Sequence, residues 1–179
     1  MTLETERLIL RPWTLEDAEE LYCYAKDSEV GPAAGWPVHT SVENSREIIQ
    51  NVLSAQGTFA VVRKETGLPI GSIGYFQTKA QGSEEDEMEI GYWIGRPLWG
   101  KGYAPEAVRE LLRYCFEELR CLRVWCSHFD GNEKSKRCME KCGFTYHHTE
   151  AESQWEVEGE RKTVDYECLT REDWEKAQK

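Results

Sequence analysis

The segment 95–107 contains residue types that could bind an anion. Gly100 and Gly102 flank Lys101 immediately before an amphipathic helix that begins near Tyr103. A glycine loop that opens a helix points several backbone N–H groups at one place, and the helix dipole adds positive potential there. Glycine also permits positive φ and a close approach of a ligand to the backbone. The spacing predicts a phosphate or pyrophosphate site, although a tight strand-to-helix turn without a ligand explains the same glycines.

Three further polar residues could move protons or order a ligand. Glu89 shares the face of a predicted strand with Trp93, and a carboxylate near a dry aromatic surface acquires the raised pKa that a base at neutral pH requires. The alternative is a solvated side chain, since Glu89 is one of five acids in the stretch 84–89. Asn132 could order a ligand or cap a short helix, and Ser135, one turn later, could reach the same ligand or face solvent.

The elements that must position these residues are a mixture of strands and helices. Strands are predicted over residues 7–11, 58–64, 68–78, 87–94 and 122–127, with a hairpin formed by 144–155 and 161–169. Helices are predicted over residues 14–28, 40–55, 103–119 and 132–141, with a last helical turn after Thr170. Thr14 and Thr40 have the spacing of N-terminal caps. This pattern indicates one α+β or three-layer α/β domain over residues 1–179 around a twisted sheet.

Net charge narrows the classes of ligand. The chain carries 22 Lys and Arg against 33 Asp and Glu, a formal charge of −11, which argues against a simple nucleic-acid binder because phosphate neutralisation needs basic residues. Residues 96–142 hold ten basic against seven acidic side chains, a local +3, so the remainder carries −14. An anionic ligand would therefore prefer the segment 96–142, and a cationic ligand the rest of the chain.

The seven cysteines suggest thiols rather than a metal site. Cys138 and Cys142 lie four residues apart, with two histidines close behind, but no C-x-x-C pair is present and four ligands would have to span a helix and a strand. Without a secretory segment or an apolar run of membrane length, we expect reduced thiols, no metal, no membrane partner and a cytoplasmic location. The cysteines expected to be buried are Cys23, Cys115, Cys126 and Cys168.

Three stretches resemble the GCN5-related N-acetyltransferase (GNAT) family, and most closely its RimJ/RimL-like ribosomal-protein branch. They are LETERLILRP at 3–12, EIGYWIG at 89–95 followed by WGKGYA at 99–104, and N-x-x-S at 132–135 with the Gly-Phe pair at 143–144. Their order, spacing and the total length all match. The resemblance implies a mixed, strongly twisted sheet of about seven strands with helices on both faces, and acetyl-CoA bound where its fourth and fifth strands splay apart.

The resemblance also implies roles for individual residues. The pantetheine arm of acetyl-CoA pairs with the fourth strand, and its pyrophosphate sits on the amides of the glycine loop. The cofactor-binding residues implied are Trp93, Ile94, Trp99, Gly100, Lys101, Gly102, Tyr103, Ala104, Asn132 and Ser135. Direct attack by the amine in a ternary complex is implied, with Glu89 or a water relay as the base and Asn132 and Ser135 as the other catalytic residues. Many members place a tyrosine acid at the position of Met139, so Ser135 or a water is expected to protonate the thiolate instead.

The acceptor is expected to be a primary amine. The resemblance implies a protein N-terminus as the first candidate, with a small-molecule amine as the alternative. The loop 31–40 and the hairpin near Glu158 are expected to line the acceptor pocket. The protein is expected to be a monomer or a homodimer. Two other classes stay open: a non-catalytic CoA-binding sensor or interaction module, and a redox or metal-binding protein built on the cysteines.

Overall fold

The computed structural model describes residues 1–78, 80–84, 87–153, 156–157 and 159–179, with the backbone alone at 156–157. Within them the chain forms ten strands and five α-helices. The strands are β1 Leu3–Glu4, β2 Leu8–Arg11, β3 Thr58–Arg63, β4 Pro69–Gln77, β5 Met88–Ile94, β6 Arg123–Phe129, β7 Thr145–Glu150, β8 Glu156–Val157, β9 Glu160–Arg161 and β10 Val164–Thr170. The α-helices are α1 Ala18–Ala25, α2 Val42–Ile48, α3 Tyr103–Glu117, α4 Glu133–Lys141 and α5 Arg171–Ala177.

Eight of the strands form one mixed sheet in the order β1-β2-β3-β4-β5-β6-β10-β7. Neighbours are antiparallel from β1 to β4 and again across β6, β10 and β7, whereas β5 and β6 run parallel. The predicted mixed sheet is therefore confirmed, with eight strands rather than about seven. The strands β8 and β9 form a separate two-stranded sheet. In the part of the chain that the structure describes, no helix is both long and apolar enough to cross a membrane.

The chain divides into two compact units. Unit 1 comprises Met1–Gly74 and Tyr92–Glu110, and unit 2 comprises Tyr75–Gly91 and Leu111–Lys179. The single domain expected over residues 1–179 stays a prediction.

The core of unit 1 forms around helix α1. Ala18, Leu21 and Ala25 recur at helical spacing and are buried against Ile49 and Val62, because one face of the helix must be removed from water. A short 3₁₀ turn, Leu15–Asp17, precedes the helix. Its Asp17 carboxylate accepts two hydrogen bonds from the Arg11 guanidinium, at 2.7 and 2.8 Å, which joins β2 to the start of the helix.

The core of unit 2 lies on the strand pair β6–β10. All seven residues of β10 pair with β6, and Trp125 and Tyr166 on these strands are fully buried. The indole N–H of Trp125 donates to the buried Glu87 carboxylate at 2.6 Å. A buried carboxylate must be paired to be tolerated, and Arg123, 3.4 Å from Glu87, supplies the opposite charge.

Several local predictions need correction. Ser41, not Thr40, caps α2, since its hydroxyl accepts from the amide of Asn44 at 3.0 Å. The predicted helix 40–55 continues as a π-helical segment, Ile49–Leu53. Cys23 is exposed rather than buried, because it lies on the solvent side of the amphipathic helix α1. The acceptor prediction near Glu158 falls outside the described residues.

A Gly71→Ala substitution is expected to destabilise the protein by about 1–3 kcal/mol, because a Cβ at Gly71 would lie 2.1 Å from the Trp93 carbonyl oxygen, which is backbone and cannot rotate away. Urea unfolding measures the change. Gly91→Ala is the control, since its nearest neighbour would be the movable Phe76 ring at 3.3 Å. Equal stability of the two variants would contradict this account.

Candidate functional site

The loop between β5 and α3 has the backbone geometry that the glycines predict. Gly100 has φ of 75° and Gly102 has φ of 82°, both in the left-handed region that glycine enters without strain. A Cβ at Gly100 would meet nothing within 4 Å, so the constraint there is conformational rather than steric. The loop passes from these glycines directly into the 15-residue helix α3. Its first amides lack partners one turn earlier in the helix, as every helix N-terminus requires.

The end of β5 is anchored on both sides. Gly95 N donates to the carbonyl of Ile70 on β4 at 2.8 Å, and the Trp93 carbonyl lies against Gly71 on the same strand. Since backbone groups alternate in direction along a strand, Ile94 presents its own N–H and C=O to the opposite edge. The Ile94 carbonyl accepts from the Trp99 indole N–H at 2.7 Å, which ties the loop to the strand.

The neighbouring edge of β5 pairs with β6 over a short stretch. The register joins Met88 to Val124 and Ile90 to Cys126, and in the residues described it ends there, although β5 continues to Ile94. The splayed strands that the resemblance implies stay a prediction.

Glu89 is held in a polar network in unit 2. It is 1% exposed, so the alternative of a solvated side chain is wrong. The Ser127 hydroxyl donates to Oε1 at 2.6 Å, and the Thr78 hydroxyl donates to Oε2 at 3.1 Å. Two hydroxyl donors compensate part of the cost of burying a carboxylate. Sequence reasoning missed both partners. The signal for Ser127 is that the positions on the same face of its strand, Trp125 and Phe129, are aromatic.

Asn132 caps helix α4. Its side-chain oxygen accepts from the Ser135 amide at 3.2 Å, which confirms the capping interpretation, and both side chains are half-buried. Neither observation tests contact with a ligand, so the binding roles of Asn132 and Ser135 stay predictions. Met139, in the second turn of this short helix, is fully buried. A thioether has no proton to give, and this one packs in the core.

Unit 2 also contains a buried histidine that sequence reasoning weighed only as a partner for a cysteine. His128 Nε2 lies 3.4 Å from Glu167 Oε1, and both side chains are almost completely buried. Burial acts to lower the pKa of His128, but Glu167, the carbonyl of Phe129 and the charge of Asp165 act in the other direction and leave the pKa raised. The folded state therefore favours the protonated form of His128, beside the Glu167 carboxylate.

The cysteines and remaining histidines do not assemble a metal centre among the described residues: no group of three or more His, Cys, Asp or Glu side chains there is placed to hold an ion. All seven cysteines are free thiols, and six of them are buried. Burial raises the pKa of the Cys126 thiol, and the Cys121 thiol together with burial raises that of Cys115. Raised values keep a thiol in its less nucleophilic form.

Comparison with known proteins identifies the class. Residues 7–145 match the sequence model described as Acetyltransferase (GNAT) domain, and the chain belongs to that family. A Bacillus licheniformis protein with the name uncharacterized N-acetyltransferase p20 is 38% identical over 148 residues, which cover 80% of this chain and 82% of that protein. The Bacillus subtilis protein YdaF, provisionally named a ribosomal N-acetyltransferase, is 39% identical over 89 residues, covering 50% of this chain and 48% of that protein.

A solved structure extends the match to the whole fold. The crystal structure of a GNAT-family acetyltransferase from Bacillus anthracis superposes with a TM-score of 0.82 at 26% identity, over 96% of this chain and 99% of that one. The predicted enzyme class is thereby confirmed: the protein is an N-acetyltransferase. Enzymes of this family take their acetyl group from acetyl-CoA.

A His128→Gln variant is expected to lose more stability, relative to the unmodified protein, at pH 6 than at pH 9. Because folding raises the pKa of His128 above its ordinary 6.5, the imidazolium stabilises the folded state below that pH. The contribution disappears as the pH rises through the folded-state value. Urea unfolding at the two pH values measures the difference. An equal loss of stability at the two pH values would refute the charge pair. The control is His147→Gln, which removes an exposed histidine on strand β7.

Proposed function

We propose that the protein transfers the acetyl group of acetyl-CoA to a primary amine by direct attack in a ternary complex. The observation that carries the proposal is the glycine loop, with Gly100 and Gly102 in the left-handed region at the start of α3. In this proposal the pyrophosphate lies on the backbone amides of the loop, where the helix dipole favours an anion. The residues proposed to supply these amides are Gly100, Lys101, Gly102, Tyr103 and Ala104. Trp99 is proposed to belong to the same site, although its own amide donates to the Arg96 carbonyl at 3.1 Å.

The pantetheine arm is proposed to run along the edge of β5. Ile94 supports this, because its backbone N–H points away from β4 and an extended chain can pair with it as an added strand does. The Ile94 carbonyl already accepts from the Trp99 indole. The Trp93 carbonyl faces β4. Trp93 is therefore proposed to contact the cofactor through its ring and the adjacent backbone amides, and not through that oxygen. Asn132 and Ser135 in unit 2 are proposed to bind the same cofactor through the amide and the hydroxyl.

Glu89 is proposed as the general base, directly or through a water. The amine nitrogen attacks the thioester carbonyl carbon, and the nitrogen gives a proton to the Glu89 carboxylate. The C–S bond then breaks, and its electron pair goes to sulfur. The thiolate takes a proton from Ser135 or from water, since Met139 has none to give. The support for Glu89 is its burial and its two hydroxyl partners, which hold one carboxylate geometry ready for the proton.

The acceptor is proposed to be a cationic amine that loses its proton on binding, either a protein N-terminus or a small molecule. The charge of −14 outside residues 96–142 would attract such a molecule. Half-buried Trp36, in the loop 31–40, lies 5.4 Å from Trp93 and 5.2 Å from His39 between ring centroids. Aromatic faces of this kind bind cations and apolar side chains. The provisional name of YdaF favours a ribosomal protein terminus.

The test of the proposal is thiol release from acetyl-CoA with a panel of N-terminal peptides, polyamines and aminoglycosides. Turnover on at least one amine is expected, with a dissociation constant for CoA in the micromolar range or below. Tight CoA binding without turnover on any amine would favour a CoA-binding module. Absence of CoA binding would refute the assignment of the loop.

Glu89→Gln is expected to lower kcat/KM by about 10²–10⁴ and to leave CoA affinity unchanged, because removal of a general base affects the chemical step alone. Glu87→Gln is a matched control: it is also a buried, hydrogen-bonded carboxylate, two residues away. Initial rates across pH 6 to 9 provide the measurement. If Glu89→Gln keeps the full rate at every pH, Glu89 is not the base.

A further inference from the structure

We propose that Arg7 is a positioning residue for the cofactor loop. Its guanidinium and the Glu106 carboxylate form a brace that holds the loop 99–104 in its anion-binding conformation before a ligand arrives. The inference concerns unit 1 alone, and it rests on the proposed function in one respect, that the loop binds the pyrophosphate of acetyl-CoA.

The first half of the brace is a saturated carboxylate in the first turn of α3. Arg7 Nε and Nη2 both lie 2.6 Å from Glu106 Oε2. Oε1 accepts from the Arg7 backbone amide at 2.9 Å and from the Thr5 hydroxyl at 2.5 Å. Burial acts to raise the pKa of Glu106, but the bonds from Thr5 and Arg7 outweigh it and leave the pKa lowered. The carboxylate is therefore charged throughout the physiological range.

The second half of the brace acts on the loop itself. Arg7 Nη1 donates to the Lys101 carbonyl at 3.0 Å. No peptide bond among the described residues is cis, and in a trans peptide the C=O and the N–H point in opposite directions. Holding the Lys101 carbonyl therefore also fixes the direction of the Gly102 N–H, which points away from the guanidinium. That amide is one of the proposed donors to the pyrophosphate.

Packing limits the loop further. The Arg7 guanidinium carbon lies 4.5 Å from the centre of the Tyr103 ring, within the range of a cation–π contact. A Cβ at Gly102 would lie 3.3 Å from Arg7 Nη2, so the guanidinium also occupies the space beside that glycine. The arginine is itself anchored, because its backbone carbonyl accepts from Lys64 at 3.0 Å.

The brace addresses a physical problem that the glycines create. A loop with two glycines has many accessible conformations, and a ligand that must order it binds more weakly by that cost. An ordinary exposed ion pair would contribute little. Here the Glu106 side chain is only 17% exposed and all four bonds converge on it, so the pair is geometrically constrained.

The experiment measures amide hydrogen exchange in the loop of the free protein, the affinity for CoA and kcat. It uses the Arg7→Lys, Arg7→Gln and Glu106→Gln variants of the full chain. Amide hydrogen exchange over residues 99–104 of the free protein is expected to accelerate about ten-fold in Arg7→Gln and Glu106→Gln, and less in Arg7→Lys, which keeps the charge but loses the fork. The dissociation constant for CoA is expected to rise about ten-fold, while kcat at saturating acetyl-CoA stays within two-fold of its original value.

Arg46→Gln is the matched control. Arg46 is as exposed as Arg7, at 45% against 43%, and lies in the same unit, 4.0 Å from Glu43 on helix α2. It is expected to leave both exchange in the loop and CoA affinity unchanged. A melting temperature for each variant confirms that the comparison is made between folded proteins.

The outcomes separate the two proposals. Unchanged exchange in Arg7→Gln and Glu106→Gln overturns the brace. Weaker CoA binding in the Arg7 variants alone, without faster exchange, also overturns it, since Arg7 would then contact a phosphate directly. Faster exchange in a protein that binds no CoA supports the brace and refutes the proposed function instead.

Discussion

The junction between β5 and α3 imposes the constraint on which the proposed chemistry depends. The chain must leave a strand, pass through two left-handed residues at Gly100 and Gly102, and enter a helix whose first amides have no carbonyl one turn earlier in the helix to bond to. Only glycine takes such a backbone without strain, and glycine also has the largest conformational freedom to lose. The surrounding contacts supply what the glycines cannot: Trp99 ties the loop to Ile94, and Arg7 ties it to the first turn of the helix.

Unit 2 presents the complementary problem, which is the burial of charge. Glu87, Glu89 and Glu167 are all buried on or beside the strands β5, β6 and β10. Each has a different partner: the Trp125 indole with Arg123, a pair of hydroxyls, and a histidine. Desolvation of a carboxylate is costly unless such partners are present. Of the three, only Glu89 lies on β5, the strand along which the cofactor is proposed to run, and for that reason it is the proposed base.

Much of the fold could be predicted from local patterns. Alternation over 87–94 and the helical face from Tyr103 predicted β5 and α3, because the periods of a strand and a helix differ and both elements bury one side. The cap at Asn132 is also predictable from the sequence, because its hydrogen bond joins residues only three positions apart. Two local predictions failed because neighbouring residues fit the same pattern. Cys23 follows an apolar pattern in the sequence yet lies on the solvent side of α1, and Ser41 rather than Thr40 reaches the Asn44 amide and caps α2.

The sequence by itself determined the family, the order of the elements and the two glycines of the loop, because these depend on residue type and on spacing along the chain. The tertiary structure decided which side chains complete the sites. Arg7 and Glu106 are 99 residues apart, as Glu89 and Ser127 are 38 apart, and only the folded chain brings their polar atoms within hydrogen-bonding distance. Periodicity carries no information about such pairs, since their energy depends on distances that the whole sheet and its helices establish.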